Sequence, residues 1–234
     1  LRQEIRDINA QQIKAYERKD ALLEQRLAAE RAARAKAHAA LTVTEQTFAP
    51  EVEYGKGLGG TARGKIEEAL AWMRGVIARE SPLHPPGSSI AGTLRSVSFI
   101  AQRGRRAQQA GRSIYMNPKL TDVGTLIHEM GHWLEQDATV LARSVSFLER
   151  RTAGEALQQL RQLRPGHGYR HNEWARPDEF ANPYTGKRYT TGGVAHATEI
   201  LAMGLEELYR NPLGFAREDP DFFLFILRFI RGEG

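Results

Sequence analysis

The chain has 234 residues, 41% of them hydrophobic, which suits one catalytic domain with an appendage and is enough for a real core. It has no cysteine, so a disulfide framework and thiolate metal sites are excluded, and any zinc must be held by histidine and carboxylate. The net charge of +5 is mostly arginine spread among glutamates; only Arg103-Gly104-Arg105-Arg106 clusters, without interleaved aromatics, so no nucleic-acid partner is expected.

Residues 1–40 contain no glycine or proline and are rich in Ala, Arg, Glu, Gln and Lys, which predicts one long helix. Its apolar positions (Ile5, Ile8, Ile13, Tyr16, Leu22, Leu23, Leu27) drift against a heptad, so a stalk, a weak coiled coil and a helix lying on the domain all fit. We take 1–45 as this N-terminal helix and 46–234 as the main domain. Gly55, Gly57, Gly59 and Gly60 break the next stretch, at a spacing that matches no phosphate-binding loop. A second amphipathic helix runs over 62–80 through Ile66, Leu70, Met73 and Ile77. Residues 93–100 and 113–116 read as strands of a small antiparallel sheet, joined by the basic turn.

Residues 122–136 form the next helix, with Asp122 as its cap. The pattern stays helical over 138–163. Residues 164–193 hold eight prolines and glycines together with His167, Tyr169, His171, Tyr184 and Tyr189, and a long loop of this kind beside a site is often functional. Helix resumes from Val194 to Tyr209 and stops at Asn211-Pro212. Asp219-Pro220-Asp221 starts the last one. The longest apolar run, Phe222 to Ile230, contains Arg228 and is too short for a membrane span of roughly 20 residues; it reads as a docking C-terminal helix. The opening residues, Leu1-Arg2-Gln3-Glu4-Ile5, do not resemble a secretory signal.

The most informative segment lies within the 122–136 helix: His128-Glu129-Met130-Gly131-His132. Side chains four apart share a helix face, so both imidazoles can reach one ion. Glu129 sits about 100° around the helix, beside that ion and not on it, where it can take a proton from water. Val123, Leu126, Ile127, Met130 and Leu134 form a separate apolar stripe, which leaves the histidines facing a cleft. This is the zinc metallopeptidase arrangement.

A catalytic zinc needs a third protein ligand. Extension to a further histidine fails, because residue 135 is Glu and residue 138 is Ala. A glutamate on a later helix remains, with Glu199, Glu206 and Glu207 as candidates. Glu199 borders the packing face made by Ile200, Leu201, Gly204, Leu205 and Leu208 and is the preferred ligand; Glu206 lies two turns on, on the same side, as a supporting group. His196 can bind substrate, and His167 and His171 have ligand-like spacing. Peptide hydrolysis also calls for a donor to the oxyanion. Tyr189 is assigned that role, with Tyr184 and His196 as alternatives.

The His128-Glu129-x-x-His132 motif followed by Glu199 resembles the gluzincins, the zinc peptidases with a glutamate ligand. The chain departs from thermolysin-like members, which carry an aspartate where Met203 stands. A closer resemblance, over roughly 60–232, is to metallopeptidase domains of phage minor head or head-morphogenesis proteins. It is carried by 112–116, 126–135, Asn182-Pro183-Tyr184-Thr185-Gly186-Lys187-Arg188-Tyr189, 197–209 and Asp219-Pro220-Asp221-Phe222-Phe223. The resemblance implies an α+β, mainly helical zincin-like domain, a Zn2+ cofactor and a protein or peptide substrate. It also implies a cytoplasmic, bacterial or viral setting, with phage head proteins as partners and the virion as a further location.

Overall fold

The computed structural model describes residues 50–77, 96–103 and 106–232. The helix expected over 1–45 lies outside them. Among the described residues, seven helices and three small sheets give the α+β class read from the sequence.

The main sheet contains β1 (Glu51–Tyr54), β2 (Ser96–Ala101), β3 (Gln108–Ala110) and β4 (Ser113–Met116) in the order β1-β2-β4-β3. Alternation sends Val97 and Phe99 of β2, and Ile114 and Met116 of β4, into the core. The pairing differs from the antiparallel expectation: β1, β2 and β4 run parallel, and only β3 is antiparallel. The cause is local. The chain leaving β2 first forms β3, which turns through Gly111 (φ 56°) and pairs back on β4, so β4 runs in the direction of β2. Gln108-Gln109-Ala110 carries no apolar alternation by which sequence could mark it as a strand.

Helix α1 (Gly60–Val76) buries Ile66, Leu70 and Met73, as its periodicity predicts. Helix α2 (Val123–Leu134) carries the histidine motif; Asp122 caps it by accepting from the Thr125 amide at 2.8 Å, and the whole predicted stripe from Val123 to Leu134 is buried. Helix α3 (Ala138–Arg151) is shorter than its pattern suggested, stopping before Gly154 (φ 82°). The end of the stretch expected to be helical holds instead β5 (Gln158–Gln159) and the short α4 (Leu160–Leu163); the stretch read as loop holds β6 (Trp174–Ala175), which pairs with β5, a 3-10 turn (Pro183–Gly186) and β7 (Arg188–Thr191).

Residues 194–198, expected to be helical, form β8 (Val194–Thr198), antiparallel to β7. Gly192 and Gly193 both adopt positive φ (59° and 82°), and a two-glycine turn closes a hairpin where a helix would need φ near −60°. Helices α5 (Ile200–Arg210), α6 (Pro212–Glu218) and α7 (Pro220–Ile230) complete the chain. Asn211 and Asp219 cap the last two, and α7 buries Phe222, Phe223, Ile226, Leu227, Phe229 and Ile230, the docking role expected of it. Among the described residues, no helix is long and apolar enough to cross a membrane.

The contact that positions the site is between α2 and α5. A β-carbon on Gly131 would lie 2.5 Å from the Ala202 α-carbon, so the two backbones approach as closely as glycine allows. Gly131→Ala adds a methyl with nowhere to go, an overpacking cost of about 1–3 kcal/mol that exceeds the helix-propensity gain of about 1 kcal/mol. Gly64 in α1 has nothing within 4 Å of such a carbon. Thermal unfolding is therefore expected to show opposite signs: Gly131→Ala lowers the midpoint, and Gly64→Ala raises it by the equivalent of about 0.4–1 kcal/mol. Equal behaviour of the two variants contradicts the close approach.

Candidate metal centre

One helical turn of α2 presents His128 and His132 together, with ring centroids 5.0 Å apart. The β7–β8 hairpin delivers Glu199 to the N-terminus of α5, where it is the residue before the first helical one. Its Oε2 lies 3.3 Å from His128 Nε2 and 3.4 Å from His132 Nε2. Ligand atoms of the three residues lie within 4.8 Å of one another, a group that could hold a metal ion. Glu199 is fully buried, and its Oε2 accepts no hydrogen bond in the structure. A buried carboxylate oxygen with two imidazole nitrogens turned toward it, none in hydrogen-bond geometry, is a donor set that could hold a cation. The two imidazoles are 15% and 12% exposed, so the site borders solvent.

Around this group stands a ring of polar support. His128 Nδ1 is 3.0 Å from Glu206 Oε2, the carboxylate–histidine pairing that fixes a ligand's tautomer and ring orientation. Glu206 is held in turn by Arg210 Nε at 2.8 Å, and Arg210 reaches Asp122 at the start of α2 at 2.8 Å. Gly124 leaves the room its guanidinium needs. Tyr189 donates to Glu199 Oε1 at 2.6 Å, and the Tyr184 hydroxyl lies 3.1 Å from that of Tyr189. Glu135, at the C-terminal end of α2, is buried and accepts from the Thr198 amide at 2.7 Å and the Thr198 hydroxyl at 2.6 Å. That pair pins the residue before Glu199 to the helix of the histidines.

The charges are strongly coupled. Burial would lower the His128 pKa, but the carboxylates of Glu199 and Glu206 outweigh it and hold the imidazole up at about 10. His132 is raised on the same grounds, through Glu199. Burial would raise Glu199, yet the two imidazoles hold it well below the ordinary carboxylate range. Glu129, 6% exposed, is pushed up by burial, with His128, His132 and the Gln109 amide opposing. Burial and the Glu199 charge keep Tyr189 protonated, hence a donor.

The structure thus brings His128, His132 and Glu199 together, with Glu129, Glu206, Tyr184 and Tyr189 beside them. Glu207 is not in the group and instead lines a small cleft with Phe180 and Phe215. His167, His171 and His196 also stay outside it; His196 is exposed on β8, its ring 6.3 Å from that of Tyr189. Glu135, Arg210 and Thr198 had gone unnoticed in the sequence. The available signal for Glu135 was an acid one turn after His132, next to an apolar stripe.

Comparison with known proteins finds no matching family model, no matching curated protein and no matching solved structure.

Two variants test the supporting residues. Glu206→Ala is expected to weaken metal binding about 10- to 100-fold without removing the site, read by competition with a chromogenic chelator. Thr198→Val strips a hydroxyl donor from a buried carboxylate and should cost about 1–3 kcal/mol in denaturant unfolding. Unchanged affinity in the first, or unchanged stability in the second, removes the corresponding support role.

Proposed function

We propose that the protein is a zinc-dependent endopeptidase. The single observation behind this reading is the convergence of His128, His132 and Glu199, with the buried Glu129 carboxylate beside them and one side open to solvent. Those three residues would hold the ion. Zinc, when bound, supplies Lewis-acid chemistry: it acidifies water and polarises a carbonyl. The all-nitrogen-and-oxygen donor set suits zinc, and three protein ligands with a solvent-facing side suit a catalytic site over a closed structural one.

The remaining work belongs to the chain. Glu129, its pKa raised by burial, takes the proton of the attacking water and delivers it to the leaving amine. Glu206 and Arg210 hold the His128 ring in place. Tyr189 orients Glu199 through the 2.6 Å bond; to serve a developing oxyanion, its single hydroxyl proton would have to turn away from that carboxylate. Strand β4 (Ser113–Met116) is internal, between β2 and β3, and offers no free edge to a substrate. Of the two edge strands, β1 and β3, it is β3 whose Gln109 amide reaches Glu129, so main-chain pairing of an extended peptide falls to Gln108–Ala110.

Glu129→Gln retains shape and ligands but cannot accept a proton. Zinc-loaded Glu129→Gln should still carry about one zinc per chain while its cleavage of a proteome-derived peptide library falls about 10²- to 10⁴-fold, scored by mass spectrometry. Cleavage at the wild-type rate in that variant rules the mechanism out.

A further inference from the structure

Tyr189 belongs to two places at once. Its hydroxyl is on Glu199, and the residue also lines a cleft of about 440 Å³. The cleft is walled by Leu148 of α3, Leu157, Trp174 of β6, Arg176 and Arg188 of β7. Its volume is that of a ligand site and exceeds what one side chain fills. Leu157 and Trp174 are exposed apolar side chains, 57% and 43% accessible, in a molecule that buries most of its large apolar residues.

The charges in the cleft do not cancel. Lys187 is matched by Glu173 at 2.7 Å and lies over the rings of Tyr184 and Tyr189. Arg188 is matched by Glu149 at 2.7 Å. Arg176 is half-buried and has no carboxylate partner among the described residues. Its backbone is fixed: the Arg176 amide donates to Gly186 O at 3.1 Å, and a β-carbon on Gly186 would overlap the Arg176 carbonyl. Arg176 also borders an adjoining cleft of about 430 Å³ with Glu149, Thr152 and Glu155, so the groove continues past it. A half-buried guanidinium without a counter-ion, set among apolar side chains, calls for an anion with an apolar stem.

We propose that this cleft recognises an acidic residue of the peptide substrate. The substrate's methylene stem lies against Trp174 and Leu157, and its carboxylate pairs with the Arg176 guanidinium, with flanking backbone filling the rest of the groove. The cleavage consequence rests on the endopeptidase reading; the binding consequence does not.

The test uses short alanine-based fluorescent peptides with a single central Glu, Gln or Lys, titrated by anisotropy against the zinc-loaded Glu129→Gln chain. The Glu peptide is expected to bind at least about tenfold tighter than the Lys peptide, the scale of one charge-assisted pair. Arg176→Gln should erase this preference and Arg176→Glu should reverse it, both at unchanged zinc stoichiometry, which reports an intact fold. An unchanged ratio in Arg176→Glu, or no binding of any peptide, overturns the proposal. Wild-type cleavage sites from the peptide library separate the two readings. Cleavage with no acidic residue enriched at any subsite removes the cleft's role and leaves the endopeptidase standing. A Glu preference in binding with no cleavage of any peptide supports the cleft and removes the endopeptidase.

Discussion

A buried carboxylate oxygen held between two imidazole nitrogens is the interaction on which the rest of this structure depends. Glu199 is fully enclosed, and burial alone would drive it toward the neutral acid. The two imidazoles keep it ionised, and it in turn raises both of them. Glu129 and Glu135 are buried alongside and Glu206 is half-buried, so four acids crowd two histidines. Such a cluster is costly unless cations neutralise it. A divalent ion among His128, His132 and Glu199 would offset that excess and reset the local proton affinities.

The geometry is produced by three restraints between the histidine helix and the segment that carries Glu199 into α5. Backbone contact at Gly131 and Ala202 sets the distance between the histidine helix and α5. The Glu135–Thr198 pair fixes how the chain enters α5, one residue before Glu199. The Asp122–Arg210–Glu206–His128 chain ties the far end of α5 back to the start of α2. Glu199 is thus brought to two histidines far earlier in the sequence by helix packing and polar pairs.

Much of this was legible in the sequence because the signals are local. The His-Glu-x-x-His spacing, the stripe from Val123 to Leu134, the Asp122 cap and the proline-led starts of α6 and α7 each act within one or two helical turns. Glu199 could be chosen by its border position on a packing face. The errors arose where tertiary pairing decided. Residues 194–198 have no strong preference of their own and become a strand because Gly192-Gly193 folds them onto β7. Strand β3 is polar and exists by pairing with β4, and its presence reverses the direction expected between β2 and β4. Glu135 and Arg210 look like ordinary surface charges until α2 and α5 are brought together.

Placement of one ion by these three residues is tested most directly at the ion itself. Anomalous diffraction at the zinc absorption edge from zinc-loaded crystals should place one peak bonded to His128, His132 and Glu199 at about 2.0–2.2 Å, with a remaining position open to solvent. A peak elsewhere in the molecule, or one closed off by a fourth protein ligand, would contradict it.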